Sequence, residues 1–472
     1  MGSFKVAIVG GSVAGLTLAL HLEKLGIDWF LIERHREIAP QLGASINLAP
    51  NGLQLLNQLG CFEEVDQKAY PMEHVTARNG NGTVIYSFDI FDRVRTKHGY
   101  DISFTERRVL LDILHRNIRG KDKITTGQKV TRIVHVGDKV ELSTLDGRAF
   151  SADIVVGADG IHSRVRGEMW RVAGKEDPTI FGEDPGKGVN TEYGCIFGIS
   201  SPTNDLKAGE DFQVHDKGLM LGVMVGLGDV AYWFLIFACP NIHVGLSFPR
   251  YSEEDEAAMV ESHGSKLVKP GTTFADIYRN KRVSHMTPLP HHCFDRWHYK
   301  RIMCIGDSVH KFNPVNGQGG CNAMESSIAL GDNIHAALKA NGDKPLSDEQ
   351  VDAAFRRTTE IRKARVAALI DESMRVMRLG AWSNKAFEFI DNYVMWLVPG
   401  PVMVDLMAAP ASGGYKSNTL PEPAPTHSRV QEESDTSALA ADDVDITDVQ
   451  KRKRETEGAK TSWLLAWVFA KK

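Results

Sequence analysis

At 472 residues the chain is longer than one hydrophobic core organises, so two or more domains are expected. A net charge of −5 with a pI near 6.4 argues against nucleic acid as a partner. Six cysteines, Cys61, Cys195, Cys239, Cys293, Cys304 and Cys321, contain no CxxC pair, which points away from a disulfide framework and predicts no metal site.

In chain order, residues 5–9 (KVAIV) predict a buried strand, and with no charged-then-apolar leader ahead of it no secretory signal is expected. The loop VGGSVAGL (9–16) follows, and apolar residues at helical spacing run from 13 to 25 before Gly26. A second strand at 29–32 ends on Glu33, 18 residues past Gly15. That is near the spacing of roughly 20 expected for an acid that bonds a ribose hydroxyl. Strand, loop, helix, strand and acid together predict a dinucleotide fold. Gly10 would make the turn, Gly15 would let the helix pack closely, and amides at the helix N-terminus would meet a pyrophosphate. Ser12 replaces the middle glycine of GxGxxG; its small side chain still permits close approach. For Glu33 alone, the plain alternative is an exposed acid at a strand end.

Residues 106–118 (ERRVLLDILHRNI) predict an amphipathic helix, and 130–157 predict strands broken by an Asp-Gly turn at 146–147. From about 190 to 250 strand patterning dominates, with 219–239 as a hairpin. The uncharged run 231–249 reads as buried sheet rather than a membrane span, because Pro240, Asn241 and His243 interrupt it. Two further stretches carry acids and glycines between a strand and a helix. They are DIVVGADGIHSRVR (153–166), with Asp159 and Gly160, and RIMCIGDSVHKFNPVNGQGGCNAMESS (301–327), with Asp307 and Gly320. Each alone is equally well read as a helix cap. His310 reads as a structural loop histidine, and His291-His292 as a solvated loop rather than half a metal site.

Toward the C-terminus, residues 384–409 predict a helical pair broken at Pro399-Gly400-Pro401 that packs on the protein or dips into a bilayer. Residues 411–460, rich in Pro, Ser, Asp and Glu, predict a disordered linker. SWLLAWVFA (462–470) is too short to span a membrane but suits an interfacial helix, a sticky disordered end being the alternative.

GGSVAG with Glu33, the GADG stretch and GDSVHKFNP, in this order and spacing, resemble the FAD-dependent aromatic hydroxylase superfamily typified by para-hydroxybenzoate hydroxylase, over residues 1 to about 380. IAPQLGASINLAPNGLQLLNQLG (38–60), TERRVLLDIL (105–114) and EYGCIFGIS (192–200) are similar to fungal FAD monooxygenases that epoxidise prenyl chains in indole-diterpene and meroterpenoid pathways.

The resemblance implies an α/β (α+β mixed) fold. A Rossmann-like FAD-binding domain would occupy 1–182 and 285–380, with a β-rich substrate domain inserted at 183–284. Beyond the reach of the resemblance, the residues themselves predict hydrophobic helices at 381–410, the linker at 411–460 and an interfacial membrane anchor at 461–472. The resemblance implies FAD as cofactor, NADPH as electron donor, and O2 and a small hydrophobic prenylated molecule as substrates. The implied reaction inserts one oxygen atom, by epoxidation of a prenyl double bond in terpenoid biosynthesis. Glu33 would bond the adenosine ribose, and Arg107 would reach the flavin or pyrophosphate. Asp159 and Gly160 would lie near the pyrophosphate and the nicotinamide donor, Asp307 would bond the ribityl chain, and Gly320 would offer amides to the isoalloxazine. Asn47 stands beside the cofactor where relatives have glycine. Tyr193 is the candidate catalytic residue, with a core tyrosine as the alternative, just as Arg107 could be a surface cation. Tyr232, Trp233, Phe234 and Phe237 would wall the site against water.

An aromatic hydroxylase, a prenyl reductase and a non-enzymatic prenyl-binding escort protein stay open. WxWxIP and FxGxxxHxxxWP stretches are absent, which argues against a flavin halogenase and a Baeyer–Villiger enzyme. The expected location is the cytoplasmic face of an intracellular membrane such as the endoplasmic reticulum, otherwise the cytoplasm.

Overall fold

The computed structural model describes residues 4–40, 45–203 and 205–427. Four short apolar strands, Asp28–Ile32, Lys5–Val9, Ile154–Gly157 and Ile302–Cys304, lie side by side and parallel at the centre of a six-stranded sheet. Val6, Ile8, Leu31, Ile154 and Val156 are fully buried, as expected of strands covered on both faces by helices. The helix Val13–Lys24 packs on one face against Gln318–Ala340 and Arg107–Asn117. The three glycine-containing loops singled out in the sequence as ligand loops each leave the C-terminal end of one of these strands, where ligands bind in open α/β sheets.

The 146–147 turn closes a three-stranded antiparallel sheet, Val130–Val136, Lys139–Thr144 and Ala149–Ala152. The second large sheet has eight strands in the order His310–Lys311, Lys281–Cys293, Asn190–Ser200, Val230–Val244, Leu219–Gly226, Glu210–Asp216, His74–Asn79, Val84–Asp89. Two elements cross the expected division at 183 and 284. The hairpin 74–89 comes from the first segment, and one strand runs on to Cys293. The reading of His291-His292 as a solvated loop fails: both lie in that strand, and His292 is buried with its ring 4.5 Å from that of Phe294.

After the 33-residue helix Asp348–Gly380 come Lys385–Tyr393 and Gly400–Ala408, separated at Val398-Pro399. They pack on the second sheet: Ile390, Val394, Met395, Val398 and Met403 cluster with Ala77 and Ile85. Among the described residues no helix is long and apolar enough to cross a membrane. Residues 411–427, expected to begin a disordered linker, instead form a strap across the first domain. Tyr415 Oη donates to Asp332 Oδ2 (3.0 Å), and Ser417 Oγ donates to Asp332 Oδ1 (2.9 Å) while its backbone amide donates to Gln58 Oε1 (2.9 Å). Polarity suggested a solvated segment, but these side chains satisfy buried partners. The rest of the linker and the anchor at 461–472 lie outside the described residues.

Candidate functional site

One cavity of about 840 Å³ runs from the first loop to the second sheet. At its charged end, Gly10 has φ +107, and a Cβ there would strike the Ala158 carbonyl of the neighbouring strand. A Cβ on Gly15 would collide with the Gly10 carbonyl, so both glycines are required by close packing. Ser12 is different: at φ −100 it needs no glycine. Its Oγ accepts a bond from Arg107 Nη2 at 2.6 Å, so the replaced glycine provides a seat for the guanidinium. Burial pushes the Arg107 guanidinium down from its ordinary value, opposed by the nearby Asp307 and Glu33 carboxylates. Arg107 is thus a cavity residue and not a surface cation. Glu33 is 8% exposed and accepts bonds from the Gly11 amide (2.5 Å) and the His35 amide (2.8 Å), which fixes its carboxylate at the strand end.

The other two stretches interlock. Asp159 Oδ2 accepts from the Arg164 and Val165 amides at 2.7 and 3.1 Å, and Oδ1 from Ser163 Oγ at 2.5 Å. Its carboxylate therefore holds the start of the Arg164–Glu176 helix, the cap alternative, while its backbone borders the cavity. The Gly160 amide donates to Ser308 Oγ (3.0 Å), and the buried Arg166, which the sequence reading passed over, donates to the Ser308 carbonyl (2.7 Å). Asp307 Oδ2 accepts from Lys311 Nζ at 2.7 Å on the cavity wall. Gly320 stands in the first turn of Gln318–Ala340, whose N-cap Gly317 adopts φ +63. A Cβ on Gly317 would come within 2.7 Å of Asn47 Cβ. The bulk added at 47 is thus accommodated by a glycine at 317. His310 is the structural residue expected: fully buried, bonded through Nε2 to Ser326 Oγ (2.9 Å), and lowered to about 3 by burial and then by the Arg362 charge.

These residues fit an FAD. Two helix N-termini, with first-turn amides free of intrahelical partners, face the cavity beside a fixed acid and a buried guanidinium. Glu33, Arg107 and the amides after Ser12 would hold the adenosine and pyrophosphate portion. Asp307 and the Gly317–Gly320 turn would hold the ribityl and ring portion.

The apolar lobe departs from expectation. Tyr193 does not line the cavity; it is buried among Cys195, Ile236, Met374 and Met377, so the catalytic assignment is withdrawn in favour of the core alternative. Strand alternation also splits the aromatic run. Phe234 faces the cavity, whereas Trp233 turns to the opposite face and donates to Ser200 Oγ (2.9 Å), Phe237 packs on Tyr251, and Tyr232 sits beside Val404. Met220, Met224, Phe197, Met403, Leu406 and Met407 form most of the wall instead.

Within this lobe stands a polar cluster that the sequence reading missed. Asp211, Gln213 and His215 alternate on the cavity face of Glu210–Asp216, with Phe212 and Val214 in the core behind them. Tyr86 Oη donates to Gln213 Oε1 (3.2 Å), and His215 Nδ1 lies 2.9 Å from Asp391 Oδ2, which also accepts from Trp382 Nε1 (2.8 Å). Burial pushes the Asp211 carboxyl up to about 7, against the Gln213 hydrogen bond and the His215 charge. Burial, with the Asp391 and Asp211 charges, holds the Tyr86 phenol well above its ordinary range.

A parallel sheet with three ligand loops, two helix N-termini facing the same cavity and a second sheet roofing its apolar end define a nucleotide-dependent oxidoreductase of the hydroxylase type. Residues 3–183 and 212–368 match the FAD binding domain family, and the chain belongs to it as an FAD-dependent monooxygenase. It is 34% identical over 430 residues to the FAD-dependent monooxygenase asqG of Emericella nidulans, covering 89% of this chain and 75% of the relative. It is likewise 34% identical to the FAD-dependent monooxygenase atmM of Aspergillus flavus, covering 87% of this chain and 84% of that one. Among solved structures, Klebsiella pneumoniae HpxO complexed with FAD and uric acid superposes with a TM-score of 0.72 at 20% identity, over 87% of this chain and 97% of that one.

Proposed function

We propose that the protein is an NADPH-driven monooxygenase of secondary metabolism that transfers one atom of O2 to a hydrophobic prenylated precursor, epoxidising a prenyl double bond. The observation that carries this reading is the continuity of the cavity: a charged end suited to FAD opens directly into a lobe walled by methionine, leucine and phenylalanine. Bound FAD supplies the redox chemistry that activates O2. The chain's own residues bind and orient: Arg107, Glu33 and Asp307 fix the cofactor, and Phe234, Met224 and Met407 keep water from the reacting carbon. Flexible methionines suit a long, branched apolar chain because they fill irregular gaps. The reading includes a loose membrane tether through residues 462–470, whose apolar sequence with two tryptophans, followed by Lys471-Lys472, supports it.

The test is turnover of FAD-loaded enzyme with NADPH under 18O2 against prenylated phenols and indoles. The expected result is faster NADPH oxidation and a product carrying one 18O atom at a former double bond. A reduced product formed without O2 uptake makes the enzyme a prenyl reductase, and ring oxygenation makes it an aromatic hydroxylase. A colourless protein that takes up no FAD ends every enzymatic reading.

A further inference from the structure

The apolar lobe contains more ionisable side chains than an alkene substrate requires. Asp211 is 8% exposed, His215 4% and Asp391 fully buried. One atom of each, Asp211 Oδ1, His215 Nε2 and Asp391 Oδ1, is buried and has no hydrogen-bond partner, although all three side chains line the cavity. Buried polar atoms are nearly always paired, so three in one lobe mark a place where a partner from outside the chain completes the set. The partner is not the cofactor. The groups fitted to FAD lie on the first domain's loops, whereas this cluster stands on the second sheet and on the Lys385–Tyr393 helix.

The charge of the cluster decides what it accepts. Two carboxyl groups contribute their free oxygens, and the opposing cation is no more than the single imidazole already shared with Asp391. Among the described residues, the lysines and arginines on the cavity wall are Arg34, Arg107, Lys129 and Arg164 on the first domain and Lys311 on the far edge strand of the second sheet, where it donates to Asp307; none stands on the strand or helix that carries the cluster. A carboxylate or diphosphate would face two carboxyl groups in a desolvated lobe with no lysine or arginine beside them to balance it, an arrangement that suppresses binding. A hydroxyl or N–H would supply the missing donor.

We propose that Asp211, His215 and Asp391 form a subsite for the polar head of the substrate, selecting an uncharged or cationic hydrogen-bond donor and rejecting anions, while the prenyl chain extends through the methionine wall toward the flavin. This rests on the reading that the lobe holds a prenylated substrate. It explains why the sheet face mixes Asp, Gln and His with methionine. The methionines accept any chain of suitable length, and the polar set fixes which end enters first. A site that hydrogen-bonds one head group discriminates strongly against heads that leave its buried groups unpaired.

The experiment is equilibrium titration of FAD-loaded enzyme, followed by the flavin absorption change, with geranylgeraniol, geranylgeranylamine and geranylgeranic acid. The expected result is that alcohol and amine bind roughly tenfold or more tightly than the acid, and that Asp211→Asn and Asp391→Asn each shrink this ratio. Equal affinity for alcohol and acid in the unmodified enzyme overturns the subsite, and so does a ratio that survives both substitutions. Flavin content and circular dichroism identify a variant that has lost its fold, in which case the ratio in the unmodified enzyme decides. If none of the three compounds binds while FAD is retained, the prenyl reading falls and the subsite with it; binding without discrimination overturns the subsite alone.

Discussion

Replacing Asp211 with asparagine should make the protein more stable, and increasingly so as pH rises. In the fold, burial raises this carboxyl from 3.8 to about 7. At about 1.4 kcal/mol per pKa step, that rise corresponds to roughly 4 kcal/mol as an upper bound. Because the folded value lies above the unfolded one, the contribution favours folding fully below about pH 3.8 and is lost as pH climbs through about 7. Above that, the folded chain carries an ionised carboxylate that its surroundings stabilise poorly. The groups facing the same lobe are Gln213 and His215 on its own strand, Tyr86 across the sheet and Asp391 on the Lys385–Tyr393 helix. Of these only His215 can offset the charge, and it is already engaged with Asp391. Asparagine keeps the shape and removes the titration. The assay is thermal unfolding of FAD-loaded unmodified enzyme and Asp211→Asn between about pH 5 and about pH 8. The gain in Tm should grow across that range to a few degrees, at roughly 1 °C per kcal/mol gained for a chain of this length. A gain that is flat with pH, or a variant less stable at the alkaline end, would refute the argument from burial.

Arg107→Ala and Asp307→Ala should each weaken FAD retention by roughly tenfold or more, since each removes a charge-assisted contact; flavin occupancy after dialysis checks this, and unchanged occupancy in both removes them from the site. Tyr193→Phe should turn over like the unmodified enzyme, because the ring packs under Met374 and Met377; a large fall in NADPH-coupled turnover with normal FAD content would return Tyr193 to the chemistry. Ending the chain after residue 410 should lower Tm by roughly 2 °C or more relative to ending it after 427, because the strap satisfies Asp332 and Gln58; equal melting of the two truncations would refute that. Deleting residues 455–472 should shift the protein from a membrane pellet to the soluble fraction with FAD content intact; full-length protein already wholly soluble in cell extract counts against the tether.

What was legible in the sequence follows from how far each constraint reaches along the chain. Gly10, Gly15 and Glu33 could be read directly because a turn, a helix–sheet approach and a strand end are settled within one βαβ unit. Asp159 was ambiguous for the same reason. An acid ahead of a helix can bind a ligand or cap the helix, and only the Arg164 and Val165 amides decide. Tyr193 shows the next limit: alternation gives the face of a strand but not what covers it, and here Met374 and Met377 arrive some 180 residues later. Ser12 and Asn47 looked like defects because their compensations, Arg107 and Gly317, are remote in sequence.

EDFQVHD (210–216) is the most instructive miss. Its pattern of polar residues alternating with Phe212 and Val214 is what a half-exposed strand shows, and a solvated polar face is the natural reading. Lys385–Tyr393 and Gly400–Ala408 convert that face into an interior by packing over the sheet. They deliver Asp391 to His215 across a separation of 176 residues. A solvated Asp or His carries no stability cost, whereas the same residue under a helical roof does, as the raised Asp211 carboxyl records. Asp211, buried there with one oxygen unpartnered, costs the fold stability, and no packing need accounts for the cluster, since Met220 and Met224 fill the same sheet face. Buried ionisable groups with unpartnered atoms facing a cavity are therefore a functional signal that emerges only when a strand's polar alternation is read together with the apolar helices far downstream that have to cover something.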